Sequence, residues 1–388
     1  MNETATGATV EFACSICQSR KSNILLDFGE TPIAGDFSPT SKVRDHYPLR
    51  LRLCNECHHA EIVDKLKPEV LYDNTFSYVS SSSPGLVEYF RFVHRLASDH
   101  ISKTSSEPLW LDIGSNDGTF LDILYSSGFK TYGIEPATSQ AAASSRTGKH
   151  RIYNGFCTKT AFEFLGTNSF SAISILNTLS NTIDPMSILQ LAANNLADDG
   201  LIIVSTGDLE SVCSGNLDYV YHEHNHYFSR ESLFKAAELT GLRIVALEKT
   251  FQKGGSILAV FTKTSNSITH VGTDIWLHEF DYNLCMKRTL DLFSAKTEQV
   301  NYTITSLRNS EIPILAFGAS QSTTTLLSIL GISDSIILYV DDNPLKLFTH
   351  SPLGNRCVIS SEMLMKALDL HKPIAIFPAA WRFYDAWY

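Results

Sequence analysis

A buried strand that runs into a glycine-flanked turn and then into a helix constrains the fold of this chain more than any other feature. Residues 109–113 (LWLDI) are mostly apolar, residues 114–118 (GSNDG) form the turn, and a helical pattern begins at Thr119. Glycine lets a backbone approach a ligand closely because it has no side chain to collide with it. The next predicted strand ends at Glu135, where a carboxylate can bind ribose hydroxyls. The pattern predicts a nucleotide-type β–α–β site.

The residues inside the turn favour one ligand class. A dinucleotide site uses Gly-x-Gly-x-x-Gly to face a pyrophosphate, whereas this turn holds Asn116 and Asp117. An acidic turn suits a cationic sulfonium and its amino-acid tail, so we predict S-adenosylmethionine as the cofactor. The predicted cofactor-binding residues of this unit are Gly114, Ser115, Asn116, Asp117, Gly118 and Glu135. The alternative is an ordinary strand–turn–helix without a ligand.

Apolar runs alternate with helical patterns from residue 109 onward, which predicts an α/β fold with a doubly wound parallel sheet. A long helix is expected over residues 275–307, and a second Rossmann-like unit begins at residue 312. We predict three domains: a small β-rich zinc module at 1–75, a central Rossmann-like methyltransferase domain at 76–265, and a C-terminal Rossmann-like domain at 266–388. The strands expected in the two larger domains are 109–113, 131–134, 171–176, 201–205, 258–261, 312–317, 336–340 and 374–377.

Two Cys-x-x-Cys pairs near the start of the chain predict a metal site. Cys14, Cys17, Cys54 and Cys57 can supply four thiolates to one structural Zn²⁺, and a closed sulfur shell leaves no position for a catalytic water. His58 and His59 follow the second pair, and we expect them to be solvent-facing turn residues rather than ligands. A redox Cys-x-x-Cys is the competing interpretation, but neither pair opens a helix after a strand.

The segment Tyr221, His222, Glu223, His224 is the strongest candidate for acid–base chemistry. Its His-x-His spacing lacks the helical repeat of the zinc protease motif. If the segment is extended, the two histidines share one face; if it turns, all four side chains could converge on a pocket. An imidazole beside a carboxylate and a phenol suits removal of a proton next to a carbonyl. The alternative is a polar loop that caps the sheet.

The second Rossmann-like unit offers another ligand site. The turn 318–320 opens a helix, whose N-terminal N–H groups can hold phosphate, and the next strand ends in the acidic segment 341–344. The predicted substrate-binding residues are Ser320, Asp342, Asn343 and Lys346. The alternative is a scaffold domain without a ligand, because a fold alone does not give a function.

Composition excludes several classes of partner. The formal net charge of the 388 residues is −10, which argues against binding to a nucleic-acid backbone. We expect no membrane partner, because apolar runs are too short to span a bilayer. The N-terminus lacks the features of a secretory signal, so we expect a cytoplasmic enzyme.

These constellations, in this order, resemble the sugar C-methyltransferases that act on nucleotide-linked keto-deoxysugars, over nearly the whole chain. That family has a four-cysteine zinc module, a methyltransferase domain and a C-terminal Rossmann-like domain that helps to hold the nucleotide-sugar. The matching segments are 114–119, 133–137, 221–224 with 227–229, 254–256 and 341–344.

The resemblance implies roles for individual residues. His224 would be the base that removes the proton beside the keto group, with Glu223 and Tyr221 in its hydrogen-bond network. Tyr78 would reach the sugar, and Asn177 would join the cofactor site. The implied reaction is methylation at C3 of a TDP- or GDP-linked 4-keto-6-deoxysugar, by a monomer or weak homodimer.

The chain departs from the family pattern around the sugar. Asn181 and Lys253 stand where the family usually shows histidines, so the nucleotide base and the sugar stay open. Three alternatives also stay open: methylation at oxygen or nitrogen of another small molecule, a zinc-ribbon RNA methyltransferase, and a nucleotide-sugar-binding relative that has lost activity.

Overall fold

The computed structural model describes residues 13–71, 79–101, 108–166, 169–250, 255–268, 271, 279–368 and 372–381. In chain order the strands are β1 (Ser22–Pro32), β2 (His46–Cys54), β3 (Ala60–Ile62), β4 (Leu109–Ile113), β5 (Lys130–Glu135), β6 (Arg151–Asn154), β7 (Phe170–Leu176), β8 (Leu196–Gly207), β9 (His226–Tyr227), β10 (Leu242–Thr250), β11 (Ser256–Lys263), β12 (Ile314–Phe317), β13 (Ile336–Val340), β14 (Val358–Ile359) and β15 (Ala375–Phe377).

Helices connect most of these strands. In chain order they are α1 (Pro68–Leu71), α2 (Pro84–Ser98), α3 (Thr119–Ser126), α4 (Thr138–Ser145), α5 (Lys159–Leu165), α6 (Pro185–Asn194), α7 (Leu209–Cys213), α8 (Arg230–Leu239), α9 (Tyr282–Asn309), α10 (Gln321–Ile329) and α11 (Ser361–Ala367).

The central sheet has the order β10-β11-β8-β7-β4-β5-β6, in which β11 runs antiparallel to both of its neighbours and the run from β8 to β6 is parallel. Apolar side chains cover both faces. One face packs on α5, α6 and α8, and the other packs on α2 and α3. The predicted doubly wound sheet is therefore present, and the carboxyl ends of its parallel strands form one edge.

A small antiparallel sheet has the order β1-β2-β3-β9. Its first three strands belong to the N-terminal module, whereas β9 comes from the segment that follows residue 221. Ala60 pairs with Tyr227 and Glu61 pairs with His226. The N-terminal sheet is thus completed by a strand that is distant in sequence.

The C-terminal sheet is parallel, with the order β14-β13-β12-β15. The helix α9 leads into it and begins at Tyr282, where the Asp281 carboxylate caps the N-terminus by accepting the Leu284 N–H at 2.9 Å. The predicted helix over 275–307 is wrong for residues 279–281, because the Asp281 cap makes the helix begin at Tyr282. Residues 275–278 lie outside the described part of the chain. Among the described residues, no helix is long and apolar enough to cross a membrane.

Candidate active site

The turn after β4 adopts the conformation that its glycines allow. Gly114 and Gly118 have φ of 82° and 83°, in the left-handed region that side chains disfavour. A Cβ on Gly114 would lie 2.0 Å from Oγ1 of Thr178, so the first glycine is also required by packing. The turn therefore keeps its backbone close to the loop that follows β7.

Glu135 lies at the carboxyl end of β5 and is tied to this turn. Its carboxylate accepts the Asn116 N–H at 2.9 Å and the Ala137 N–H at 2.8 Å. Burial raises the pKa of Glu135. Glu135 and the glycine turn therefore lie together at the carboxyl end of β4 and β5, and their contacts with S-adenosylmethionine stay a prediction.

The Asn116 and Asp117 side chains connect the turn to the serine-rich loop before α2. The Asn116 carboxamide oxygen accepts the Ser80 N–H at 2.9 Å, and the Asp117 carboxylate accepts the Ser81 N–H at 3.1 Å. The serine loop is thereby anchored over the turn. Tyr78, which precedes this loop in sequence, and Lys253 lie outside the described residues.

Asn177 lies where β7 ends, at the same edge of the sheet. It has a φ of 54°, and its N–H donates to the Ser205 carbonyl at 2.8 Å. Ser115 is buried within the turn itself. The structure thus places the predicted cofactor residues along one sheet edge, while their contacts with a ligand stay a prediction.

The four predicted thiol ligands converge. All four Sγ atoms lie within 4.8 Å of one another, with Cys14 to Cys57 at 3.7 Å and Cys17 to Cys54 at 3.6 Å. A tetrahedral zinc ion with Zn–S bonds of about 2.3 Å requires sulfur atoms about 3.8 Å apart. The thiols are gathered closely enough to bind one Zn²⁺, and the neighbouring histidines are not part of the group.

His59 is not the solvent-facing turn residue that the sequence suggests. Its side chain is 1% exposed, and its Nε2 forms a 2.9 Å hydrogen bond with Nδ1 of His226. The expectation fails because β9 covers this turn, and that pairing is not visible in the local sequence. His58 is half-buried with its ring centroid 5.3 Å from that of Tyr282.

Tyr221 and His224 form a buried pair. The segment turns, with the His224 N–H donating to the Tyr221 carbonyl at 3.0 Å, and the Tyr221 hydroxyl lies 3.0 Å from His224 Nε2. The edge of the Tyr219 ring packs on the imidazole at a centroid distance of 4.7 Å. A phenol and an imidazole in hydrogen-bond contact inside an aromatic wall can exchange a proton away from bulk water.

The other two residues of this motif face the N-terminal module. Oε1 of Glu223 accepts the Gly35 N–H at 2.7 Å, and burial raises the pKa of Glu223 to about 7. The His222 ring contacts the ring of Tyr47 edge-on at 6.1 Å. The two histidines would share a face only if the segment were extended. Because the segment turns, His222 contacts Tyr47 whereas His224 contacts Tyr221.

Gly35 is a residue that the sequence interpretation missed. A Cβ at this position would lie 2.6 Å from Oε1 of Glu223 and 3.4 Å from Nε2 of Gln321. Only glycine leaves room for the carboxyl group here. No local signal reveals this, because its two neighbours, Glu223 and Gln321, come from distant parts of the chain.

The His224 segment lies next to the cofactor turn. Asn225 donates its side-chain N–H groups to the Asn181 carbonyl at 3.1 Å and the Thr182 carbonyl at 3.3 Å. These carbonyls belong to the loop after β7, which also contains Thr178, the residue packed on Gly114. The predicted base and the predicted methyl-donor site thus share one loop.

The C-terminal unit repeats the geometry of the cofactor site. Gly318 has a φ of 103° and its N–H donates to the Val340 carbonyl at 2.8 Å. The Asp341 carboxylate accepts the Ala319 N–H at 2.7 Å and the Asn343 N–H at 2.9 Å. Asp341 therefore occupies the position that Glu135 holds in the central domain. Its place directly after an apolar strand is a signal that could have identified it.

The predicted substrate residues lie at this turn, but several have structural partners. The Ser320 hydroxyl caps α10 by accepting the Thr323 N–H at 3.1 Å. Asp342 accepts the N–H and hydroxyl of Ser361, both at 2.8 Å, and so adds to the N-terminal cap of α11 that Ser360 provides. The Asn343 side chain accepts the Leu345 N–H at 3.0 Å, and the Lys346 ammonium group donates to the Ala319 carbonyl.

The first half of α10 reaches the His224 segment. The Thr325 hydroxyl donates to the Val220 carbonyl at 3.3 Å, and the Thr324 hydroxyl donates to the Ala34 carbonyl at 2.9 Å. A helix N-terminus attracts anions because its N–H groups are unpaired and its dipole is positive. The chain therefore holds an anion-attracting helix end beside the Tyr221–His224 pair.

Family models match three successive parts of the chain. Residues 14–72 match a model described as "Putative zinc binding domain", residues 86–247 a "Methyltransferase domain", and residues 251–386 a "C-methyltransferase C-terminal domain". Together with the glycine turn and the order of the central sheet, the second match makes the protein an S-adenosylmethionine-dependent methyltransferase. The two flanking matches narrow this class to an S-adenosylmethionine-dependent C-methyltransferase that carries an N-terminal zinc-binding domain.

A curated relative agrees with this assignment. C-methyltransferase NovU from Streptomyces niveus is 24% identical over 340 residues, which cover 85% of this chain and 80% of NovU. Among solved structures, the CcbJ methyltransferase from Streptomyces caelestis is 14% identical and covers 51% of this chain and 97% of its own, with a TM-score of 0.37. Magnesium protoporphyrin IX methyltransferase from Synechocystis PCC 6803 with bound SAM is 13% identical. The match covers 48% of this chain and 79% of that one, with a TM-score of 0.34.

Proposed function

We propose that this C-methyltransferase acts on a nucleotide-linked 4-keto-6-deoxysugar and methylates it at C3. The observation that carries the proposal is the buried Tyr221–His224 pair between the cofactor turn and the N-terminus of α10. Methylation of carbon needs a base to remove a C–H proton, whereas many oxygen and nitrogen nucleophiles need none. A second nucleotide-type turn, with Asp341 at its edge, supports a nucleotide-linked acceptor.

His224 is the base in this proposal. Its imidazole is held by the Tyr221 hydroxyl at 3.0 Å and is 6% exposed, so its orientation is fixed before substrate binds. The Tyr221 oxygen takes the proton from the carbon beside the keto group as its own O–H proton passes to Nε2, so that His224 ends with the proton and Nε2 becomes a donor to the Tyr221 oxygen. The Tyr221 O–H is then free to donate to the oxyanion of the enolate, which stabilises it. Bound S-adenosylmethionine supplies the electrophilic methyl group on its sulfonium.

Glu223 supports this pair from the other side of the turn. Because burial raises its pKa to about 7, its carboxyl is partly protonated near neutral pH. A neutral carboxyl places no full negative charge beside the forming enolate. Gly35, which donates to Oε1, fixes its position.

The nucleotide is assigned to the C-terminal turn. The positive end of α10 suits the phosphates, and Asp341 is placed to bind ribose hydroxyls as Glu135 is in the central domain. From that position, the sugar extends toward the Tyr221–His224 pair past Val220, which α10 contacts. Closure of the site around the sugar would exclude water and align the acceptor carbon with the methyl group.

The deciding experiment uses labelled S-adenosylmethionine with a panel of TDP-, GDP- and CDP-linked 4-keto-6-deoxysugars. We expect label in one sugar at C3, and exchange of the C3 hydrogen for deuterium in D₂O. Transfer to an oxygen or nitrogen atom, or neither transfer nor exchange with any member of the panel, would overturn the proposal.

His224→Asn tests the base directly. We expect the rate of methyl transfer to fall by about 10²–10⁴-fold while the affinity for S-adenosylmethionine changes little, measured by single-turnover assays and calorimetry. His150→Asn is the matched control, because His150 is similarly buried at 8% exposure against 6% for His224 and bonds to Thr131 at the opposite end of β5. A rate in His224→Asn equal to that of the control would argue for a reaction without a carbon-acid step.

A further inference from the structure

The segment that carries the predicted base is also the outer strand of the zinc module. The Ile62 N–H donates to the Asn225 carbonyl at 2.9 Å, and β3 pairs with β9 at Glu61 and His226. Immediately after β9, the Ser229 hydroxyl donates to the Cys57 carbonyl at 3.3 Å. The residues that follow the predicted base are therefore held by the zinc module.

A buried polar chain reinforces this pairing at His226. We call it the knuckle bridge, and its members are Ser15, His59, Glu61, Lys65 and His226. The Ser15 N–H donates to Glu61 at 2.9 Å, and the Glu61 carboxylate binds the Lys65 ammonium group. The Lys65 nitrogen lies 3.5 Å from Nε2 of His226, and Nδ1 of His226 lies 2.9 Å from Nε2 of His59.

The two ends of the knuckle bridge lie in the two cysteine turns. Ser15 follows Cys14 in the first turn, and the His59 carbonyl accepts the Cys54 N–H of the second turn at 2.8 Å. His226 is thus clamped from both turns, with a side chain that is 0% exposed. The rings of His59 and His226 also stack at 5.1 Å, so rotation of His226 would disturb both partners.

Only a short backbone separates this clamp from the reacting group. His226 and His224 are two residues apart, and displacement of a catalytic group by about 1 Å can cost about 10²-fold in rate. Glu223 is fixed by Gly35 of the same module at 2.7 Å. The module therefore holds the turn on both sides of His224, whose own ring faces Tyr219 and Tyr221.

We infer that His226 is a positioning residue, through which the zinc module fixes the backbone of the turn that presents His224. This goes beyond the structural role of a four-thiolate zinc site, and its effect on rate rests on the proposed function of His224. The inference predicts that loosening the knuckle bridge slows methyl transfer far more than it weakens the methyl-donor site, because among the described residues the bridge and Asn225 bond to the loop after β7 rather than to Glu135 or the glycine turn.

The test compares zinc-loaded wild-type protein with His226→Gln and Lys65→Gln. Lys65 is the milder change, since its side chain is 17% exposed, and it decides the matter if His226→Gln does not fold. We expect amide hydrogen exchange in residues 221–228 to accelerate by about 10-fold in His226→Gln and by less in Lys65→Gln. The affinity for S-adenosylmethionine should stay within about two-fold, with about one zinc per chain. His150→Gln, a buried histidine away from the module, should leave this segment unchanged.

Activity gives the second readout. With an accepted substrate, kcat should fall by about 10–10²-fold in His226→Gln, and KM for S-adenosylmethionine should stay constant. Unchanged exchange in residues 221–228 in zinc-loaded variants would overturn the inference, as would a parallel loss of S-adenosylmethionine affinity. Exchange and cofactor binding need no sugar substrate, so a failure of the proposed function is distinguishable from a failure of the positioning role.

Discussion

Burial shifts the titration of three carboxyl groups near the site. It raises the pKa of Asp112 to about 7, of Asp208 to about 6 and of Glu223 to about 7. Their unfolded pKa values are near 4, so between about pH 4 and about pH 7 the folded chain binds more protons than the unfolded chain. The stability that these groups contribute is therefore complete below about pH 4 and is lost as the pH rises through their folded pKa values.

Asp112 offers the clearest test of this pH dependence. It is the last residue but one of β4, its side chain is 4% exposed, and its carboxylate accepts the Ser174 hydroxyl at 2.6 Å. Asn is nearly isosteric, keeps an oxygen for Ser174 and does not ionise. We expect Asp112→Asn to reduce the loss of unfolding free energy between about pH 5 and about pH 8 by about 1–3 kcal/mol, measured by urea denaturation. Asp198→Asn, at a 93% exposed carboxyl, is the control, and equal pH slopes in wild type and Asp112→Asn would contradict the prediction.

At the scale of elements, the two Rossmann-like units share one set of backbone bonds. In each, the N–H of a glycine after the first strand donates to the carbonyl of the residue just before the acid. Gly114 donates to Ile134, and Gly318 donates to Val340. In each, the acid that ends the second strand accepts an N–H from the turn. The acid is Glu135 in the central domain and Asp341 in the C-terminal one. The repeated geometry makes Asp341, rather than its neighbour Asp342, the proposed ligand-binding acid.

Paired variants test that separation. We expect Asp341→Asn to raise KM for the nucleotide-sugar by about 10-fold, because a charge-assisted bond to ribose is lost, with little change in KM for S-adenosylmethionine. Asp342→Asn should lower the unfolding free energy by up to about 1 kcal/mol through weaker capping of α11 and leave both KM values near wild type. A larger effect on sugar KM from Asp342→Asn than from Asp341→Asn would reverse the assignment and favour the sequence prediction.

Local patterns in the sequence predict most strands of the two parallel sheets, but they do not predict that β9 completes the N-terminal sheet. The runs 109–113 and 336–340 are short, apolar and followed by turn residues, and this pattern predicts buried strands. The prediction omits β10, although its apolar residues 244–247 were a usable signal. By contrast, β9 is two residues long and becomes a strand only because β3 pairs with it.

The same distinction applies to the site. The cysteine spacing and the 221–224 motif are local signals; the structure brings the four thiols together and pairs Tyr221 with His224, while His222 and Glu223 face the N-terminal module. The roles of His224, Tyr221 and Glu223 stay predictions, as do the three domain boundaries. Gly35 and His226 could not be found from sequence, because each matters through a partner far along the chain.

At the scale of the whole molecule, the hydrophobic cores cross the predicted domain boundaries. Cys14, Cys54 and Cys57 pack in the same cluster as the central strands and α6. A second cluster joins the N-terminal strands to α7 and to the start of α9, and Phe37 packs on the C-terminal core. Shared cores of this kind oppose independent movement or unfolding of the parts.

Zinc removal should therefore lower the stability of the whole chain rather than melt a separate module. The thiolates contribute binding free energy to folding, and their cluster continues into the central core. We expect a chelator, or Cys17→Ser, to lower a single calorimetric transition by at least about 5 °C. Cys157→Ser is the matched control, because Cys157 is half-buried and outside the four-thiol group. A small chelator-sensitive transition that precedes an unchanged main transition would show instead that the N-terminal module unfolds on its own, and the clamp on His226 would then release before the central sheet does.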